Sequence, residues 1–232
     1  MTKKTLLVAG LMALTAGAQA QSGLLITGVM DGTLTGGEPK VLELYAISDV
    51  PDLSKYALSV AANGGATFSP ITAEYIFPAV SLSAGSFYYA VGNSFTDQTG
   101  PFDTIFPGYS GIRSRNFGIN SNGDDVEGLF YDATGLFAGS QVLVDVMGEL
   151  GVDGTGTAWE HLDGWAYSNN GRMPSAIFNV ADWYFSGNDV LDNLAPADIA
   201  LSFPDQTYMV PEPSSLALMF LGGLAFVFRR RQ

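Results

Sequence analysis

Between its two ends this chain nowhere holds a helical apolar period for the ~10–12 residues that a helix needs, so a helical core is excluded. Short apolar or alternating runs take its place: Leu24 to Met30, Val41 to Tyr45, Tyr56 to Val60, Tyr75 to Phe77, Phe87 to Val91, Val126 to Tyr131 and Gln141 to Met147. Gly, Pro and Asn punctuate them, as in the three glycines between Gly32 and Pro39, in Asn63-Gly64-Gly65, and at Pro78 and Gly85. Such spacing predicts an all-β sandwich or barrel. Strand alternation puts Glu43 on the face opposite Leu42 and Leu44. Phe87 to Val91 is an aromatic strand suited to a half-buried sheet. Asp49 to Ser54 reads as a loop with one helical turn, and Gly92 to Gly118 as a long loop. Residues 188–209, which contain Pro196 and Pro204, read as a linker after a folded domain over 21–187.

Both ends carry membrane-directed patterns. Lys3-Lys4, the apolar run Leu6 to Ala16 and Ala18-Gln19-Ala20 form a cleavable signal peptide over 1–20, with the cut expected after Ala20. At the other end Pro211-Glu212-Pro213 precede fifteen uncharged residues, Ser214 to Phe228, and then Arg229-Arg230-Arg231. At ~1.5 Å per residue that run covers roughly 22 Å of a hydrocarbon core about 30 Å thick. The arginines can snorkel to the headgroups, and they favour a cytoplasmic C-terminus. The expectation is a single membrane helix over 214–228. A buried helix of the folded domain is rarely apolar on every face and closed by three arginines.

This order of Pro-Glu-Pro motif, short apolar helix and basic tail resembles the PEP-CTERM sorting signal of Gram-negative bacteria, over residues 210–232. The resemblance implies export and a transient anchor in the inner membrane. It implies that an exosortase, a membrane-embedded cysteine protease, cuts near Pro211, Glu212 and Pro213. It also implies delivery to the cell envelope or extracellular matrix, often in organisms that make exopolysaccharide.

Residues 21–210 hold five basic and twenty-two acidic side chains, a formal charge of 5 − 22 = −17. Such a surface repels phosphates and anionic lipid, so nucleic acid is not an expected partner. The chain has no cysteine. In an oxidising compartment its fold must rest on the core alone, which ~190 residues can supply.

Asn120, Asn122, Asp124, Asp125 and Glu127 form the main candidate site. Their oxygens lie at near-alternate positions that suit calcium, yet position twelve counted from Asn120 is Tyr131 and not a bidentate Glu. The competing reading is a turn, with positive φ at Asn122-Gly123 and Asp124 bonding the backbone. Asp153-Gly154-Thr155-Gly156 reads as a tight turn, because Thr155 stands where a calcium loop has Asp or Asn. Trp159, Trp165 and Trp183, with Tyr167 and Tyr184, form either a sugar-stacking platform or part of the core. His161 is the sole histidine and is expected at the surface beside Glu160 and Asp163. No Gly-x-Ser-x-Gly elbow accompanies it, and one histidine without cysteine does not build a zinc site. No lysine follows a glycine, which excludes a phosphate loop. No catalytic residue and no cofactor other than calcium is expected.

Three further segments resemble a bacterial lamin-tail-like domain, in order, over Leu24 to Tyr167. They are Leu24 to Gly32 with Val41 to Tyr45; Asn122 to Phe130 leading to Val144 to Gly148; and Asp153 to Gly156 with Trp159-Glu160 and Asp163 to Tyr167. The resemblance implies an immunoglobulin-like β-sandwich without catalytic residues, often joined to exported nucleases or surface proteins. Gly128 departs from its Ile-Glu-Leu pattern and suggests a bulge or weakened pairing. Together the two resemblances imply a non-enzymatic surface or matrix protein, an adhesion or scaffold module associated with exopolysaccharide or biofilm. The alternative is a carbohydrate-binding module, with or without calcium.

Overall fold

A computed structural model describes residues 23–34, 37–71, 75–92, 105–106, 113–116 and 121–210. Its strands are β1 Leu24–Met30, β2 Lys40–Ala46, β3 Tyr56–Ala61, β4 Tyr75–Ile76 and β5 Phe87–Gly92. They continue with β6 Arg113–Asn116, β7 Val126–Tyr131, β8 Val142–Met147, β9 Trp165–Ser168 and β10 Trp183–Phe185. A helix, α1, spans Pro196–Ser202. The strands form a six-stranded sheet, β10-β9-β1-β2-β5-β6, and a four-stranded sheet, β4-β3-β7-β8. Pairing is antiparallel except between β5 and β6. The chain is thus a two-sheet β-sandwich, and the expected helical turn after Asp49 is the short 3-10 turn Leu53–Lys55.

The core between the sheets joins Leu24, Ile26, Leu42, Leu44 and Tyr88 of the larger sheet to Leu58, Leu129 and Met147 of the smaller. Successive strand side chains point to opposite faces, so Leu42 and Leu44 enter this core while Glu43 faces outward. In β1 the register shifts between Ile26 and Gly28. This bulge flips the phase of the strand. Leu24 and Ile26 point inward before it and Val29 after it, while Leu25 and Met30 point outward.

The outward face of the larger sheet is covered as well. Residues 188–209, expected as a linker, pack on it: Leu191, Ile199, Phe203 and Tyr208 bury against Leu25, Met30, Val41, Tyr89 and Val91. Burying four such side chains stabilises by ~1.5–3 kcal/mol each. Pro196 opens α1 with its φ already helical, and Asp198 in the first turn favours the helix dipole. Gly28 makes this packing possible, since a Cβ there would lie 2.7 Å from Phe203 Cζ.

Gly128 has a different role from the one expected. It pairs regularly with Ser59 and Val146, and the irregularity falls next door, between Leu129 and Phe130. A Cβ at Gly128 would meet Phe68 at 2.6 Å, so the glycine leaves room for that ring. The signal peptide over 1–20, the sorting motif Pro211, Glu212 and Pro213, the membrane helix over 214–228, and Arg229, Arg230 and Arg231 lie outside the described residues. Among the described residues no helix is long and apolar enough to cross a membrane.

Candidate functional site

Of the expected calcium ligands, Asn122, Asp124 and Asp125 sit in the turn before β7, and Glu127 lies on β7 itself. Asn120 lies outside the described residues. Asn122 opens the turn: its carbonyl accepts from Asp125 N at 3.0 Å. The carboxylate of Asp125 accepts from Asn122 N at 2.9 Å and from Asn63 N at 2.8 Å. The second of these bonds ties the turn to the Asn63-Gly64 turn after β3. Asp124 instead accepts from Thr155 Oγ1 at 2.9 Å. So Asp125, and not Asp124, bonds the backbone of the turn. Gly123 does not take a positive φ; its use is close approach, because a Cβ there would lie 2.3 Å from His161 C. Among the described residues no three His, Cys, Asp or Glu side chains stand together so as to hold a metal ion.

Beneath the turn is a buried polar cluster. Lys40 pairs with Asp31, and its Nζ also donates to Asn122 Oδ1 at 3.2 Å. The other oxygen of Asp31 accepts from Gly123 N at 2.8 Å and Asp163 N at 3.3 Å. Glu127 accepts from the Ser121 hydroxyl and is almost wholly buried. Burial pushes its carboxyl up to about 7; the Asp125 and Asp31 charges add to this, while Ser121 and Lys40 oppose it.

His161, expected at the surface, is fully buried. Its backbone N–H donates to Gly123 O at 2.9 Å, and its ring Nδ1 lies 3.1 Å from Trp159 O. Burial lowers its pKa, so the ring is neutral at pH 7. The Asp-Gly-Thr-Gly segment is the tight turn expected, closed by Thr155 N donating to Asp153 Oδ1 at 3.0 Å.

A second polar centre escaped the sequence reading. Glu43 is completely buried on the outward face of β2. Oε1 accepts from Thr27 Oγ1 and Tyr167 Oη, both at 2.7 Å; Oε2 accepts from Tyr89 Oη and from Gln206 N at 2.8 Å. Burial raises its pKa, and these four donors work against that rise. Tyr167 Oη in turn accepts from Thr207 N and Tyr208 N, each at 3.1 Å. Glu43 therefore clamps residues 206–208 to the sheet. Its only signal in the sequence is an acid between two leucines of a strand.

The aromatic candidates divide. Trp159, Trp183 and Tyr167 are buried and belong to the cores. Trp165 is half-buried, and Tyr184 is 61% exposed. Trp165 and Tyr184 meet with ring centroids 5.5 Å apart, beside a groove of about 340 Å³ that Asn169, Asn170, Pro204 and Thr207 also line. A larger hollow of about 600 Å³ beside β8 is walled chiefly by Leu143, Val146, Leu150, Trp159, Ile177 and Phe178.

Nothing matches the chain among curated proteins, and nothing among solved structures. Residues 210–231 match the PEP-CTERM protein-sorting motif, which implies export, a transient C-terminal membrane anchor and processing by an exosortase.

Proposed function

We propose that this protein is a non-enzymatic component of the cell surface or extracellular matrix of a Gram-negative bacterium, acting as an adhesion or scaffold module associated with exopolysaccharide. The observation that carries this reading is the sorting motif at 210–231. The sandwich, lamin-tail-like in the order of its motifs, is the part delivered. The non-enzymatic reading is supported by the sole histidine, which is buried with Nδ1 beside a backbone carbonyl. The Glu43 centre supports it too, since its carboxylate is taken up by Thr27, Tyr89, Tyr167 and the Gln206 backbone.

The test is the intact mass of the protein recovered from membranes and from culture supernatant. A species that starts at Gln21 and ends near Pro211 is expected outside the membrane. A sole membrane species that retains Arg229 to Gln232 overturns the reading and leaves an anchored sandwich.

A further inference from the structure

The larger sheet is not covered at one corner, beside the edge strand β10. Trp165, Tyr167 and Tyr184 share the outward face there, because Tyr184 stands opposite Tyr167 and Trp165 is two residues from it. Tyr167 is occupied by Glu43. Trp165 and Tyr184 are left as a floor whose ring planes differ by 32°. Asn169 and Asn170 approach from the end of β9, and Pro204 and Thr207 from the turn after α1.

The rim groups keep hydrogen-bonding capacity. Asn169 Nδ2 donates to Ala181 O at 2.9 Å, which leaves a second amide proton and Oδ1. Asn170 Oδ1 accepts from Met209 N at 2.8 Å, which holds the amide in place and leaves two donors. Thr207 Oγ1 donates to Pro204 O at 2.6 Å and retains its acceptor lone pairs. Among the described residues none that lines the groove is charged, in a segment with a formal charge of −17.

These features select a class of ligand. An anion meets the repulsion of the acidic surface and finds no cation in the groove. A metal cation finds no carboxylate there. A purely apolar ligand would strip water from amides and a hydroxyl without replacing their bonds. A sugar ring satisfies both halves of the groove, with its C–H face on the aromatic rings and its hydroxyls on the amides.

We propose that this groove binds a neutral saccharide chain, stacked on Trp165 and Tyr184. The proposal rests on the matrix reading above for the source of that saccharide, but the groove itself is tested separately. The full chain, held in a sugar-free detergent, is titrated with cellohexaose, maltohexaose and, as the anionic probe, hexagalacturonate. Tryptophan emission and heat are followed.

A neutral hexamer is expected to bind, with hexagalacturonate at least about tenfold weaker. Tyr184→Ala is expected to weaken neutral binding about tenfold through loss of a stacked ring, and Tyr184→Phe by no more than about threefold. Binding of no neutral hexamer, equal binding of the anionic one, or an unchanged affinity in Tyr184→Ala overturns the proposal. Retention in the matrix of producing cells separates the two readings. Binding in solution without retention of the wild type overturns the matrix reading and leaves the groove. Retention that Tyr184→Ala does not alter overturns the groove as the attachment point and leaves the matrix reading.

Discussion

Arg172 holds Asp145 with both prongs of its guanidinium, Nη1 to Oδ1 at 2.7 Å and Nη2 to Oδ2 at 2.8 Å, across the seam between the two sheets. β9 pairs with β1 from Gly28 to Met30, and among the described residues no strand pairs with the backbone of Ile26 on that side. The ion pair supplies one: Ile26 N donates to Asp145 Oδ2 at 2.8 Å, and Arg172 Nη2 donates to Ile26 O. The guanidinium also lies 4.7 Å from the centre of the Trp183 ring.

Asp145→Ala leaves a cation buried without its partner and should destabilise the protein by ~3–5 kcal/mol. Arg172→Lys keeps the charge but loses the planar fork, and its loss should be smaller. Urea midpoints at unchanged m-value check both.

Glu127 should make stability fall as pH rises. Its folded pKa, about 7, lies above the ordinary 4.5. Between these values the folded state holds a proton that the unfolded state has released. The group therefore favours unfolding progressively from pH 4.5 to about 7, and the effect is constant above that. Glu127→Gln removes it while keeping an acceptor for Ser121. The variant should gain stability over the wild type across that window, by up to a few kcal/mol at pH 8. A stability difference that does not change with pH contradicts the assignment.

Tyr167→Phe should loosen residues 206–208. It removes one acceptor for Thr207 N and Tyr208 N and one donor to Glu43. A loss of ~1–3 kcal/mol is expected. Faster amide hydrogen exchange at Thr207 and Tyr208, with β7 unchanged, is the measurement.

Millimolar calcium should leave the melting temperature unchanged. Asp125 already accepts two backbone N–H groups, and Asp124 bonds Thr155. A rise of several degrees, abolished by Asp124→Asn, would establish the calcium site instead.

The strands of the inner core were legible because their apolar runs are dense and bounded by turn residues. β9 and β10 were not, since Trp165–Ser168 and Trp183–Phe185 are only four and three residues long. The covering segment over 188–209 hid for another reason. Its anchors, Leu191, Ile199, Phe203 and Tyr208, are spaced unevenly, four to eight residues apart, and Pro196 and Pro204 interrupt the run, so no sustained strand or helix period appears. The turn at Asn122 was visible, but the work of its glycine was not. Close approach to His161 depends on a neighbour thirty-eight positions away, which local pattern does not encode. His161 itself looked solvated because Glu160 and Asp163 flank it, yet its backbone N–H donates to Gly123 O and its ring lies buried against Trp159 O.

The clamp on residues 206–208 sets how far the sandwich stands from its anchorage. Tyr208 is buried and Ser214 begins the uncharged run. Six residues of chain reach at most about 20 Å, even fully extended. On the proposed reading, with the run from Ser214 in the bilayer, the domain is held close to the headgroups on a short leash. The Pro-Glu-Pro motif lies in that stretch of sequence, so on the same reading an exosortase that cuts near it is expected to work in a narrow gap beneath the folded domain. Loosening the clamp by substitution at Glu43 or Tyr167 would lengthen the leash and widen the gap.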